Sequence, residues 1–154
     1  MSDAVTEQPG EAELLRKLGE LEKEARDPLV PGDLDPWCRR ILEKLDAVDR
    51  LWQPFRRNQE EVNEQIVTSD PELARRAELL QRKRRDLRER HPDLRRIGRE
   101  LLAASESETS REPTKEGRVW RNQLLEWAGE CRKLEEEQRT WLVESLYRDR
   151  GEVG

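Results

Sequence analysis

Apolar residues along this chain recur at steps of three and four, the period of an amphipathic helix, and strand-forming residues are scarce. Leu14, Leu18, Leu21 and Ala25 line one face of a first helix, closed by Asp27-Pro28 because a residue before proline avoids the helical conformation. A second seam runs Cys38, Ile41, Leu45, Val48, Trp52, Phe55, Val62 and Ile66, with Gln59 as its polar member. Asp35-Pro36 predicts its start, an N-cap followed by proline at the first helical position. The third helix follows the start signal Ser69-Asp70-Pro71-Glu72 and carries Leu73, Ala77, Leu80, Arg84, Leu87, His91, Leu94 and Leu101, with Ile97 alongside, before fading at Ala104. The fourth runs from about Thr114 to Tyr147 on Trp120, Leu124, Trp127, Cys131, Leu134, Gln138 and Trp141, with Leu142 and Leu146 beside them and Gly151 as a stop signal.

Prolines and polar runs divide these segments. Pro54 and Pro92 remove backbone donors inside their helices and predict kinks between Arg50 and Pro54 and just after His91. Residues 1–10 form a polar, mobile tail, 29–34 an apolar link against the core, 105–115 an exposed loop rich in Ser, Thr and Glu, and 149–154 a short C-terminal tail. The expected fold is all-α: residues 11–148 as one antiparallel up-down bundle of four helices, each stripe facing a shared core. The competing architecture is a three-helix bundle whose first helix pairs with another chain. Ion pairs at i, i+4 are expected for Glu13 with Lys17, Glu22 with Arg26, Asp46 with Arg50, Glu78 with Arg82 and Glu144 with Arg148.

Composition narrows the class. With 154 residues and 33% hydrophobic content the chain supports one core, and 42% charged residues suit long helices. No window approaches the ~18 uncharged residues of a membrane span, and the opening Met1-Ser2-Asp3 has no basic region ahead of an apolar run. A cytoplasmic protein without membrane association is expected. A formal charge of −5 gives no bulk attraction to nucleic acid.

Candidate chemistry is sparse. His91, the single histidine, lies on an apolar seam, where a buried imidazole satisfied by one hydrogen bond is the expected role; Arg88 stands where a Glu-x-x-His di-iron motif needs its carboxylate. Cys38 and Cys131 occupy seam positions as small hydrophobes and are expected to stay reduced and apart. The five tryptophans at helical spacing read as core rather than as a ligand pocket. The run Glu135-Glu136-Glu137 reads as a solvated face. Arg82, Lys83, Arg84, Arg85 and Arg88 make the third helix basic, a candidate phosphate-binding stripe that acidic faces of the first helix and of 135–137 are expected to neutralise.

Two stretches resemble the bacterial hemerythrin-like family. Leu87-Arg88-Glu89-Arg90-His91-Pro92-Asp93-Leu94 looks like the Leu, His and Leu spacing of one of its helices. Lys133-Leu134-Glu135-Glu136-Glu137 with Trp141 and Leu142 resembles its His-x-x-x-Glu helix, with Lys133 at the histidine position. That resemblance implies a four-helix bundle holding a di-iron centre for oxygen binding or sensing. Only His91, with Glu137 as a weak carboxylate candidate, falls on a ligand position, so the implied member keeps the bundle and has no metal or cofactor. The expected function is therefore a non-enzymatic bundle acting on a protein partner or on its own copies. The alternatives are nucleic-acid or phosphate binding through the basic helix, and residual metal or small-ligand sensing near His91.

Overall fold

The structure, a computed structural model, describes residues 10–27, 32–67, 71–106 and 113–153; within these, the side chains of 54–56, 58, 59, 62, 63, 65–67, 106, 113, 114 and 148–153 lie outside the description. Four helices occupy it: α1 (Glu11–Arg26), α2 (Leu34–Val67), α3 (Pro71–Glu106) and α4 (Pro113–Val153), with no strand among the described residues. The chain is an all-α four-helix bundle. The tail over 1–9, residues 29–31 of the expected link, 107–112 of the expected loop and the side chains of the seam positions Phe55, Gln59, Val62 and Ile66 lie outside the description; the ends of that loop, 105–106 and 113–115, are helical and belong to α3 and α4.

Boundaries differ from expectation where a local signal is outweighed. Helix α2 starts at Leu34 rather than after Asp35, because the Trp37 amide donates to Asp33 O at 3.1 Å and makes Asp33 the cap. Asp35 instead sits in the first turn and takes the Arg39 guanidinium at 2.7 Å. Helix α4 passes through Gly151 to Val153 instead of leaving a tail after 148; one glycine costs only about 1 kcal/mol, too little to end a long helix by itself. Neither Pro54 nor Pro92 interrupts its helix, and Pro92 is exposed, so its ring displaces no core side chain.

The helices form a ring, α1 beside α2, α2 beside α3, α3 beside α4, and α4 beside α1. Consecutive helices run antiparallel: Leu42 of α2 stands against Gly98 of α3 while the later Leu45 meets the earlier His91, and along α3 and α4 the pairs Arg76 with Glu144, Lys83 with Glu137 and Arg90 with Glu130 run in opposite order. Across the diagonal, α2 and α4 run parallel and are bridged by their largest side chains. Trp37 meets Trp120 edge-on with centroids 5.5 Å apart, and Trp52 meets Trp127 at 5.7 Å.

Helix α3 presents a leucine row, Leu73, Leu80, Leu87, Leu94 and Leu101, at heptad spacing, and all are buried. Opposite it α4 sets Trp120, Trp127 and Trp141, whose Nε1 groups donate to the backbone carbonyls of Leu94 (2.9 Å), Leu87 (2.8 Å) and Leu73 (3.1 Å). Each indole thus buries its ring without leaving its N–H unsatisfied, and each hydrogen bond contributes about 0.5–1.5 kcal/mol net. Close approach of the two helices requires small residues beside the ladder. A Cβ on Gly98 would stand 2.5 Å from Trp120 Cζ2 and 2.9 Å from Leu42 Cδ2, whereas a Cβ on Gly129 would meet nothing within 4 Å.

These two glycines give opposite expected outcomes. Gly98→Ala is expected to destabilise the protein by about 1–3 kcal/mol through overpacking, outweighing its gain in helix propensity. Gly129→Ala, on the open side of α4, is expected to stabilise by about 0.5–1 kcal/mol. Urea unfolding of both variants checks the pair, and equal shifts of one sign would contradict the packing described.

Candidate functional site

His91, the two cysteines and Arg84 take structural positions in the bundle. His91 is 3% exposed, helical despite the following proline, and its Nε2–H donates to Leu45 O at 2.9 Å. Its ring lies 5.6 Å from that of Trp127 and 6.5 Å from that of Trp52. The imidazole therefore ties α3 to α2 as a buried hydrogen-bond donor. Glu137 is far from it, on the outer side of the α3–α4 seam, where Lys83 Nζ lies 2.9 Å from its Oε2. His91 and Glu137 are not brought together, and among the described residues no three His, Cys, Asp or Glu side chains cluster to hold a metal.

Both thiols are free and buried. Burial, and then the Asp35 charge, push the Cys38 thiol up to about 12, and burial pushes Cys131 up as well, so both are protonated and unreactive at neutral pH. In the parallel α2–α4 pair Cys38 lies level with Trp120, and Cys131 lies beyond Trp127, roughly 15–20 Å further along at ~1.5 Å per residue, which is out of disulfide reach.

The basic stripe of α3 is broken up by the fold. Arg82 is exposed and pairs with Glu78, Lys83 pairs with Glu137, Arg85 is exposed, Arg88 is half-buried, and Arg84 points inward. Arg84 is 4% exposed and its Nη2 lies 3.1 Å from Oε1 of Glu135, itself 3% exposed. Two expectations are corrected here: Arg84 is no part of a surface patch, and Glu135 is no part of a solvated face. Consecutive helical residues point about 100° apart, so a run of four such as Arg82 to Arg85 sweeps past the core-facing side, and in the shorter run Glu135 is the member turned towards α3. Further along α3, Arg76, Arg90 and Arg95 pair with Glu144, Glu130 and Asp46. The acids neutralising α3 thus come from α4, from α2 and from α3 itself. Helix α1 does not touch α3.

Helix α1 lies in the trough between α2 and α4. Leu14, Leu18, Leu21 and Ala25 are buried there, and the trough has a cationic rim on each side. Glu11 and Glu22 take Arg139 and Arg132 of α4, while Glu20 and Glu24 take Lys44 and Arg40 of α2. Gly19 leaves room for the Arg132 guanidinium to cross α1 towards Glu22, and Trp37 Nε1 donates to Glu24 O at 3.1 Å, satisfying a carbonyl at the end of α1. The Lys17 hydrogen bond, with added charge from Lys44, holds the Glu20 carboxyl below its ordinary value. Of the i, i+4 ion pairs expected from sequence, Glu22 with Arg26 and Glu78 with Arg82 are present. Glu13 takes Arg16, Lys17 takes Glu20 and Asp46 takes Arg95; Glu144 takes Arg76, while the expected partner Arg148 lies outside the described side chains.

On the outer side of α3 and α4 an open groove is lined by Arg76, Leu79, Lys83, Lys133, Thr140 and Trp141. Leu79 there is 51% exposed, and Val119 and Tyr147 of α4 are exposed as well. Lys133, the residue at the histidine position of the hemerythrin-like helix, is exposed on this groove, away from His91. No helix among the described residues is long and apolar enough to cross a membrane. Comparison with known proteins finds no match, whether to a family model, a curated protein or a solved structure.

Two outcomes follow from the buried groups. Arg84→Met alone is expected to cost about 3–5 kcal/mol by leaving the Glu135 carboxylate buried opposite an apolar side chain, whereas Arg84→Met with Glu135→Leu is expected to recover most of that loss in a chemical-denaturation double-mutant cycle. Thiol titration at mildly alkaline pH is expected to find both cysteines unreactive in the native protein and both reactive after denaturation. Fast labelling of native protein would contradict the burial of either.

Proposed function

We propose that this chain is a non-enzymatic helical bundle that acts through protein–protein contacts, self-association included. The observation that carries the reading is the commitment of its reactive and ligand-type side chains to the core: His91 to a backbone carbonyl, both cysteines to packing, and Arg84 to Glu135. What is left to offer a partner is helix faces, with Leu79, Val119 and Tyr147 as exposed apolar positions on α3 and α4. The hemerythrin-like resemblance contributes the bundle and no metal to this proposal, since Lys133 and the buried His91 stand where ligands would be needed.

Nucleic-acid binding is the weaker reading, because most of the arginines of α3 face carboxylates within the molecule. It predicts binding that falls steeply with salt and is lost on reversing Arg82 and Arg85. For the preferred reading, sedimentation of the purified full chain over a wide concentration range is expected to show a concentration-dependent dimer, or proximity labelling in the native host a reproducible protein partner. A chain that stays monomeric throughout and labels no partner would overturn it.

A further inference from the structure

Along its outer side the α3–α4 seam is crossed by three ion pairs one heptad apart, Arg76 with Glu144, Lys83 with Glu137 and Arg90 with Glu130. Between these rungs the seam opens into two hollows. The first has Leu80 and Trp141 in its floor and Leu79 and Thr140 on its flanks; the second has Leu87 and Leu134 in its floor and Asp86 and Lys133 on its flanks. A helix pair with hollows at heptad intervals can accept side chains from further helices, as knobs enter holes in a coiled coil.

Two heptad rows stand beside the hollows, Leu79 and Asp86 on α3 and Lys133, Thr140 and Tyr147 on α4, and all five residues are exposed. Leu79 and Tyr147 are two of the three large hydrophobic side chains that lie exposed among the described residues. Asp86 and Lys133 flank one hollow from opposite sides, yet no ion pair or hydrogen bond joins either of them to another described residue. The rungs fix the levels: seven residues back along α3 correspond to seven forward along α4, so Asp86 stands about level with Lys133 and Leu79 about level with Thr140.

This face is complementary to itself. A two-fold axis parallel to the helices and centred on the seam lays α3 of one copy over α4 of the other, at the same level and in the same antiparallel sense that the two helices have within one chain. Asp86 of each copy then meets Lys133 of the other, and Leu79 of each lies over Thr140 and the hollow beside Trp141. The acid and the base left unpaired in the single chain thus satisfy each other twice across the axis. One heptad beyond Asp86, Asp93 falls level with Glu126, and like charges end the match there.

We infer that the outer α3–α4 face is a homodimer interface, on which a second copy of this chain packs its own α3–α4 pair about a two-fold axis parallel to the helices. This interface gives the self-association reading its surface and rests on that reading. A different protein would have to supply the same acid, base and apolar row that the face already presents to itself. Between the levels of Tyr147 and Arg90 the face covers roughly 500 Å² per copy, at ~1.5 Å of rise per residue and ~10 Å of width per helix. That is the low end for a specific complex, so the dimer is expected to depend on concentration.

Charge exchange on full chains tests it. K133E sets Glu against Asp86 of an identical copy, and D86K sets Lys against Lys133, so each variant repels itself while the two attract each other. Each is expected to raise the dimer dissociation constant at least tenfold at an unchanged thermal midpoint, because both positions are exposed and unpaired within the chain. Mixed in equal amounts, the two are expected to form a complex of twice the 18.3 kDa chain mass at concentrations where neither dimerises alone. L79S is expected to weaken the dimer as well, again without lowering the midpoint. If the unmodified chain dimerises and the charge variants dimerise equally well, the interface lies elsewhere: this face is overturned and self-association stands. A chain that is monomeric at every concentration overturns the dimer, and if it also labels no partner the functional reading falls with it. A monomeric chain whose labelled partner is lost on K133E would assign the face to a different protein and likewise overturn the inference.

Discussion

The bundle depends on how three indole N–H groups on α4 reach backbone carbonyls on α3. A tryptophan buries more apolar surface than any other side chain, but its N–H must be satisfied when it goes inside. Trp120, Trp127 and Trp141 meet this condition against the carbonyls of Leu94, Leu87 and Leu73, stepping by whole heptads in opposite directions along two antiparallel helices. Because donors and acceptors share one spacing, satisfying one rung aligns the others. The small position at Gly98 lets the helices approach closely enough for the Trp120 rung to form.

The remaining rung shows what distinguishes this register from its neighbours. Where heptad spacing would place another tryptophan, α4 has Leu134, and beside it the Arg84–Glu135 pair crosses the seam inside the core. A slip of one heptad would keep leucines opposite α4's apolar row but set Arg84 against Ala128 or Leu142, burying a guanidinium without its carboxylate. Buried ion pairs contribute little net stability, yet a broken one costs several kcal/mol, so the pair acts mainly against the wrong alignment. His91 does comparable work between α3 and α2 through Leu45 O. Surface ion pairs, by contrast, are worth at most about 1 kcal/mol each and hold no register alone.

Helix α1 follows a different logic from the three long helices. Those are locked by aromatic and polar contacts at fixed levels of the core, whereas α1 is held by three leucines, an alanine and charges at the rims, with Trp37 closing its end. Leucine stripes and rim charges are the means by which helices recognise one another between molecules as well as within one.

The sequence by itself determined the all-α class, the four helices and their order, the buried seams over the described side chains, and the core positions of the tryptophans, cysteines and His91, because these follow from a helical period written into consecutive residues. It also carried the heptad rows of leucine on α3 and tryptophan on α4. What it could not determine is which polar residue on a seam faces which partner. Arg84 looked like one of five basic neighbours and Glu135 like one of three acids, and only the packing of α3 against α4 selected those two for burial. The same holds for Asp46, drawn to Arg95 on α3, and for the acids of α1, which meet α4 and α2. Local spacing limits what a charged side chain can reach along its own helix. Tertiary packing decides the choice, because at the core the cost of an unpaired charge exceeds any gain from a neighbour one turn away.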